Sequence, residues 1–153
     1  RRSFYRALNK VYKKREDPLR YGIIFMDLDG FKSINDQYGH AVGDKALTNF
    51  TKLVRKTLRE EDLLARFGGD EFVIVLTGYS DDEAYELAQR LRRWVEEHRF
   101  SYQGESIDVR ISVGVAALTS ADWAKSELIE EADRALYEAK ISGKNQVRFF
   151  GRT

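Results

Sequence analysis

From Tyr21 to Leu28 the chain reads YGIIFMDL, and up to Met26 both alternations of an extended strand are apolar. A strand with one wet face would carry polar residues at every second position, so this one must be covered on both sides. Covering a sheet twice calls for helices, and the rest of the sequence supplies them. Phe4, Ala7, Leu8, Val11 and Tyr12 recur at helical spacing and stop at Asp17-Pro18. Ala46, Leu47, Phe50, Leu53, Val54 and Leu58 form one stripe between Val42 and Leu58. Ala84, Leu87, Ala88, Leu91, Trp94 and Val95 form another, and Leu128, Ile129, Ala132, Ala135, Leu136 and Ala139 a last one, ending at Ser142-Gly143.

Four further segments read as strands. LLARF and EFVIVLT flank Gly68-Gly69 as a hairpin, where glycine accepts positive φ at no cost. Ile107, Val109, Ile111, Val113 and Val115 alternate with smaller or polar residues, which predicts one half-buried strand. QVRFF closes the sheet. The polar stretch 29–44 predicts a short helix inside a functional connection. The order α-β-α-α-β-β-α-β-α-β mixes a hairpin with helical crossovers, which implies one mixed sheet under packed helices, an α/β (α+β) sandwich. Tyr5, Tyr12, Trp94 and Tyr137 read as core or helix-face packing.

At 153 residues the chain fits a single domain, 1–153. Lys plus Arg number 26 against 25 acids, so a net charge of +1 offers no global field for nucleic acid or a membrane surface. There is no cysteine, which suits a cytoplasmic setting, and no apolar run approaches membrane-spanning length. The first residue is Arg1 rather than Met, so the domain is expected to be cut at its N-terminal side from a longer protein.

Asp27 and Asp29 stand where the apolar run gives out. An unpaired carboxylate there is costly, and a divalent cation is one reason to keep it. Mg²⁺ favours one or two carboxylates with carbonyl and phosphate oxygens, and Asp27, the Leu28 carbonyl and an acid from the hairpin tip could supply that set. The plainer reading is that Asp29-Gly30 opens a loop and Asp27 caps the next helix. An EF-hand loop fails because Lys32 stands where its sixth-position glycine belongs. DLDG after a strand is also similar to haloacid-dehalogenase-type phosphatases, but Phe31 follows in place of their usual Thr or Val.

MDLDGFKSINDQYGHAVGD and RFGGDEF together, with RISVGVA and ADRALYEAKISGKNQV, resemble the GGDEF family of diguanylate cyclases. RRSFYRAL looks like the tail of a family motif. The resemblance implies a palm-like fold of the nucleotide-cyclase and polymerase type, with a mostly antiparallel five-stranded sheet and helices on both faces. It implies condensation of two GTP into cyclic di-GMP with release of pyrophosphate. Asp27, the Leu28 carbonyl and Asp70 would hold two Mg²⁺ per site, with Mn²⁺ as an alternative. Asp70 would also accept the proton, and Glu71 would assist with metal or water. Asn35 and Asp44 would read the guanine edge beside His40, with Phe31, Gly68 and Gly69 lining the nucleotide. Lys32, Lys140 and Lys144 would neutralise phosphate.

That chemistry explains the residue types. Two divalent ions can lower the pKa of a ribose 3′-OH and stabilise charge as it attacks an α-phosphorus. A carboxylate at Asp44 accepts from guanine N1–H and its amino group, donors that adenine lacks. One departure is Lys144, where the family usually places Arg, which loses a bidentate fork. Lys140 is also a favourable cation at a helix C-terminus whether or not it binds GTP.

One chain holds half a reaction, so the resemblance implies an isologous homodimer, at least transient, aided by an upstream sensor segment. Arg59 and Asp62, in the family's Arg-x-x-Asp spacing, would form a product-inhibition site with Arg90. As a bare pattern they equally suit a solvated ion pair. Two other classes remain open: a domain that binds GTP or cyclic di-GMP without turnover, and a structural module whose acids are merely solvated.

Overall fold

The computed structural model describes residues 21–118 and 125–152. The first expected helix, with Tyr5, Tyr12 and RRSFYRAL, lies outside the described residues. β1 (Tyr21–Asp29) leads into α1 (Phe31–Tyr38) and α2 (His40–Thr57). β2 (Leu63–Arg66) and β3 (Glu71–Thr77) follow, then α3 (Asp81–Glu97). The chain finishes with β4 (Phe100–Tyr102), β5 (Glu105–Ile107), β6 (Arg110–Leu118), α4 (Lys125–Ile141) and β7 (Val147–Phe149).

Five strands make the main sheet in the order β2-β3-β1-β6-β7. All pairings are antiparallel except β6 with β7. The mixed, mostly antiparallel sheet with helices on both faces is therefore the one expected. β1 lies at its centre, apolar on both alternations as its neighbour β3 is from Phe72 to Leu76. Ile24, Met26 and Leu28 pack with Phe72, Ile74, Ile111, Val113 and Val115 under α2 and α3. Ile23 and Phe25 pack with Val73, Val75 and Ala116 under α4, against Leu128, Ala132 and Leu136.

Three expectations change. The run from Ile107 to Val115 is not one strand: Ile107 ends β5, which pairs only with β4, and β6 begins at Arg110. The small hairpin turns at Gln103 (φ 50°) and Gly104 (φ 82°), so FSYQGESI carried a turn signal that the longer alternation concealed. β6 is also not half-buried, since every residue from Ile111 to Ala116 is buried. Ser112, Gly114 and Ala116 are small because α4 presses against them, not because water does. A Cβ at Gly114 would lie 2.1 Å from the Ala132 carbonyl oxygen and 2.3 Å from the Leu136 nitrogen. Trp94 and Tyr137, expected to pack, are exposed.

α3 starts at a capping box: Glu83 N–H donates to Ser80 Oγ at 3.1 Å, and Ser80 N–H to Glu83 Oε1 at 3.0 Å. Among the described residues no helix is long and apolar enough to cross a membrane. Because the obstacle at Gly114 is backbone rather than a movable side chain, Gly114→Ala is expected to cost about 3 kcal/mol, measured by urea unfolding.

Candidate active site

β1 ends between two neighbours, with Asp27 opposite Glu71 of β3 and Ser112 of β6. One residue on, Leu28 N–H donates to the Asp70 carbonyl at 3.2 Å, so the ladder continues into the residue that follows the glycines. This register sets Asp70 beside Asp27, near enough for its carboxyl to add to the upward pull on the Asp27 carboxyl. Lys140, in the last turn of α4, donates to Asp27 Oδ2 at 2.5 Å. Asp27 Oδ1 is buried and has no hydrogen-bond partner.

Burial is the main reason the Asp27 carboxyl is pushed up from 3.8 to about 7; Lys140 pulls against the shift and Asp70 adds to it. A buried acid with an orphaned oxygen, next to a second carboxyl, is a donor set that a hard cation would complete. Among the described residues no cluster of three His, Cys, Asp or Glu side chains could hold a metal. The fit is therefore to an ion taking two carboxylates and the Leu28 carbonyl, with phosphate oxygens completing its shell.

Neither Asp27 nor Asp29 caps α1, whose N-cap is Gly30 at φ 70° with no side-chain hydrogen bond. Asp29 instead accepts from Ser112 Oγ at 2.7 Å and from Asn145 N–H at 2.9 Å. It thereby ties the end of β1 to β6 and to the loop after α4. That loop is tight, with Lys144 at φ 62° and Asn145 at φ 46°.

The hairpin tip differs from expectation. Neither Gly68 nor Gly69 has positive φ. A Cβ at Gly68 would sit 2.7 Å from Glu71 Oε1, whereas one at Gly69 would meet nothing within 4 Å. Gly68 makes room for the Glu71 carboxylate, and Gly69 leaves its backbone open to an approaching group. Arg66, which sequence reasoning missed, holds the tip. Its Nε donates to the Gly68 carbonyl at 3.0 Å and its Nη2 to the Gly69 carbonyl at 2.5 Å.

On the α1–α2 corner, Phe31, Asn35 and Gly43 meet. A Cβ at Gly43 would lie 1.8 Å from Asn35 Oδ1 and 3.3 Å from Phe31 Cζ. Asn35 Oδ1 is buried without a partner. Asp44 follows Gly43 on the exposed side of α2, one turn after the exposed His40. From Asp44 a groove of about 500 Å³ runs past Leu47, Thr48 and Lys52 to Arg66 and Phe72. It links the corner to the hairpin tip. Lys32 and Lys144 are both exposed.

Arg59 and Asp62 lie at the other end of the β2–β3 hairpin. They do not form a side-chain ion pair. Asp62 Oδ2 accepts the Arg59 main-chain N–H at 2.8 Å and the Tyr79 hydroxyl at 2.8 Å. The Arg59 guanidinium lies 4.2 Å over the Tyr79 ring and 4.0 Å from Glu83. Arg90 is exposed on α3, two helical turns beyond Glu83, and makes no described bond to Arg59 or Asp62.

Unfolded, Asp27 would titrate near 3.8, against about 7 in the fold. Between those values the folded chain keeps a proton that the unfolded chain has lost, so stability falls as pH rises through that window. In chelator-treated buffer Asp27→Asn should therefore melt a few degrees above the parent at pH 8 and alongside it near pH 4. Added Mg²⁺ should raise the parent's Tm and leave that of Asp27→Asn unmoved, both read by scanning calorimetry.

The family model described as Diguanylate cyclase, GGDEF domain, matches residues 1–146. Diguanylate cyclase A of Treponema denticola is 42% identical over 92% of this chain, which spans 37% of that relative's length. The active GGEEF domain of a diguanylate cyclase from Vibrio cholerae superposes with a TM-score of 0.82 at 32% identity, covering 97% of this chain and 92% of that one. The GGDEF domain of DgcB from Caulobacter crescentus shares the fold, with a TM-score of 0.92 at 23% identity over 99% of this chain and 91% of that one. With its RFGGDEF hairpin, the chain belongs to the GGDEF-domain family of diguanylate cyclases.

Proposed function

We propose that this chain is the catalytic domain of a diguanylate cyclase, joining two GTP molecules into cyclic di-GMP with loss of two pyrophosphates. The observation that carries the reading is the approach of Asp27 and Asp70 from adjacent strands, beside a glycine backbone left open at Gly69. Mg²⁺ ions bound by Asp27, Asp70 and the Leu28 carbonyl would supply charge neutralisation at the triphosphate.

The chain's own residues do the rest. Asn35 and Asp44 take the guanine at the α1–α2 corner, with Phe31 against the base and His40 one turn away. The groove then leads the nucleotide to the hairpin tip. There the Asp70 carboxylate receives the proton of the 3′-OH as it attacks the α-phosphorus, and Glu71 supports it from beneath Gly68. Lys140, paired with Asp27 in this structure, stands at the rim where phosphate arrives, and Lys32 and Lys144 add positive charge. Lys144 offers a point charge where Arg would offer a fork.

One such groove takes one GTP, so the second is presented by another copy, and the working unit is a homodimer. Because the chain spans 37% of its Treponema relative, a further sensor segment of a longer protein is a natural means of pairing the domains. The Arg59–Asp62 cluster, with Arg90 two turns along α3, is the candidate site at which cyclic di-GMP inhibits.

Incubation with GTP and Mg²⁺ followed by chromatography should yield cyclic di-GMP, and Asp70→Ala should lower the rate about a hundredfold or more. Binding of GTP without any product would instead place the domain among receptors. Specific activity should fall as the protein is diluted; a constant value over a wide range would remove the dimer from the mechanism. Added cyclic di-GMP should inhibit noncompetitively with GTP, and Arg59→Ala should relieve that inhibition.

A further inference from the structure

Tyr79 touches both members of the Arg59–Asp62 pair, which do not bond to each other through their side chains. It sits between β3 and α3, just after Gly78 at φ 79°, and is 8% exposed. Its hydroxyl donates to Asp62 Oδ2, and the Arg59 guanidinium lies over its ring, 4.2 Å from the centroid. Burial, and then the Asp62 carboxylate, keep that hydroxyl protonated well above the usual tyrosine range, so it stays a donor. The Arg59 side chain is 49% exposed, so the face turned away from the ring remains accessible.

Such a guanidinium is already ordered before any ligand arrives. A free arginine loses rotamer freedom when it binds, whereas one held on an aromatic ring has lost part of it beforehand. The facing carboxylate is ordered too, since Oδ2 is anchored by two donors. Its nearest rival for the guanidinium, Glu83, is 4.0 Å away, and the capping box holds its other oxygen. A bound phosphate would displace only a long, exposed contact.

We propose that Tyr79 is a positioning residue of the cyclic di-GMP site, its ring the floor on which Arg59 presents an open face to a guanine base, its hydroxyl the anchor of Asp62. The proposal rests on the reading of Arg59 and Asp62 as the product site. The stack would then run tyrosine, guanidinium, purine, with Asp62 at its side, whose buried and unpartnered Oδ1 would have to be uncovered to accept from the guanine edge.

Calorimetric titration of the whole chain with cyclic di-GMP tests it, using the parent, Arg59→Ala, Tyr79→Phe and Tyr79→Leu. Tyr79→Phe keeps the ring and is expected to weaken binding about fivefold, the loss of one hydrogen bond. Tyr79→Leu also loses the stack and should weaken it about thirtyfold. In an Asp62→Ala background the Phe substitution should cost nothing further, because the hydroxyl it removes has no acceptor left to anchor; a merely structural tyrosine would cost the same in both.

If Tyr79→Phe weakens binding equally in both backgrounds, or a folded Tyr79→Leu binds like the parent while Arg59→Ala does not, Tyr79 has no part in the site. If Arg59→Ala binds like the parent, the product-site reading itself falls and takes this inference with it. Should Tyr79→Leu fail to fold, the Phe comparison in the two backgrounds still decides.

Discussion

A carboxyl largely withdrawn from water governs this domain. The central strand is buried on both faces, so whatever stands at its end inherits a partly dry setting, and the chain places Asp27 there. Desolvation alone would drive that carboxyl to hold its proton. The chain offsets this with one ammonium, Lys140, and aggravates it with one more acid, Asp70. The surrounding structure exists to keep that tension in place. Asp29 pins the strand end through Ser112 and Asn145, Arg66 pins the hairpin tip, and α4 is drawn close enough over β6 to deliver Lys140.

The same rigidity separates two kinds of glycine. Gly43 and Gly114 are glycines of contact, filled from outside by Asn35 and by the α4 backbone. Gly69 is a glycine of vacancy, with open space where a side chain would stand. In a sequence the two kinds look identical. Only packing distinguishes a residue kept small by its own fold from one kept small for a visitor.

Much of the architecture could be read in advance because its signals are local. YGIIFMDL required cover on two sides, and the stripes from Val42 and from Ala84 supplied it. The errors came from patterns with two causes. Alternation in Ile107–Val115 arises equally from water on one face or from a helix packed closely enough to admit only Ser112, Gly114 and Ala116. A turn at Gln103-Gly104 then breaks what reads as a single run. At the site, residue types pointed to the acids, but not to Arg66 or Tyr79. Their roles depend on contacts to main-chain carbonyls and to a loop 17 positions away, which no spacing rule encodes.

The outer strands of the sheet are short: β2 has four residues and β7 three. Brevity at both margins leaves little unsatisfied backbone on which a neighbouring molecule could build further strands. Growth by edge-to-edge annealing, the common hazard of open sheets, is thereby blunted. Copies that come together must do so through side chains and bound molecules, contacts that can be made and released.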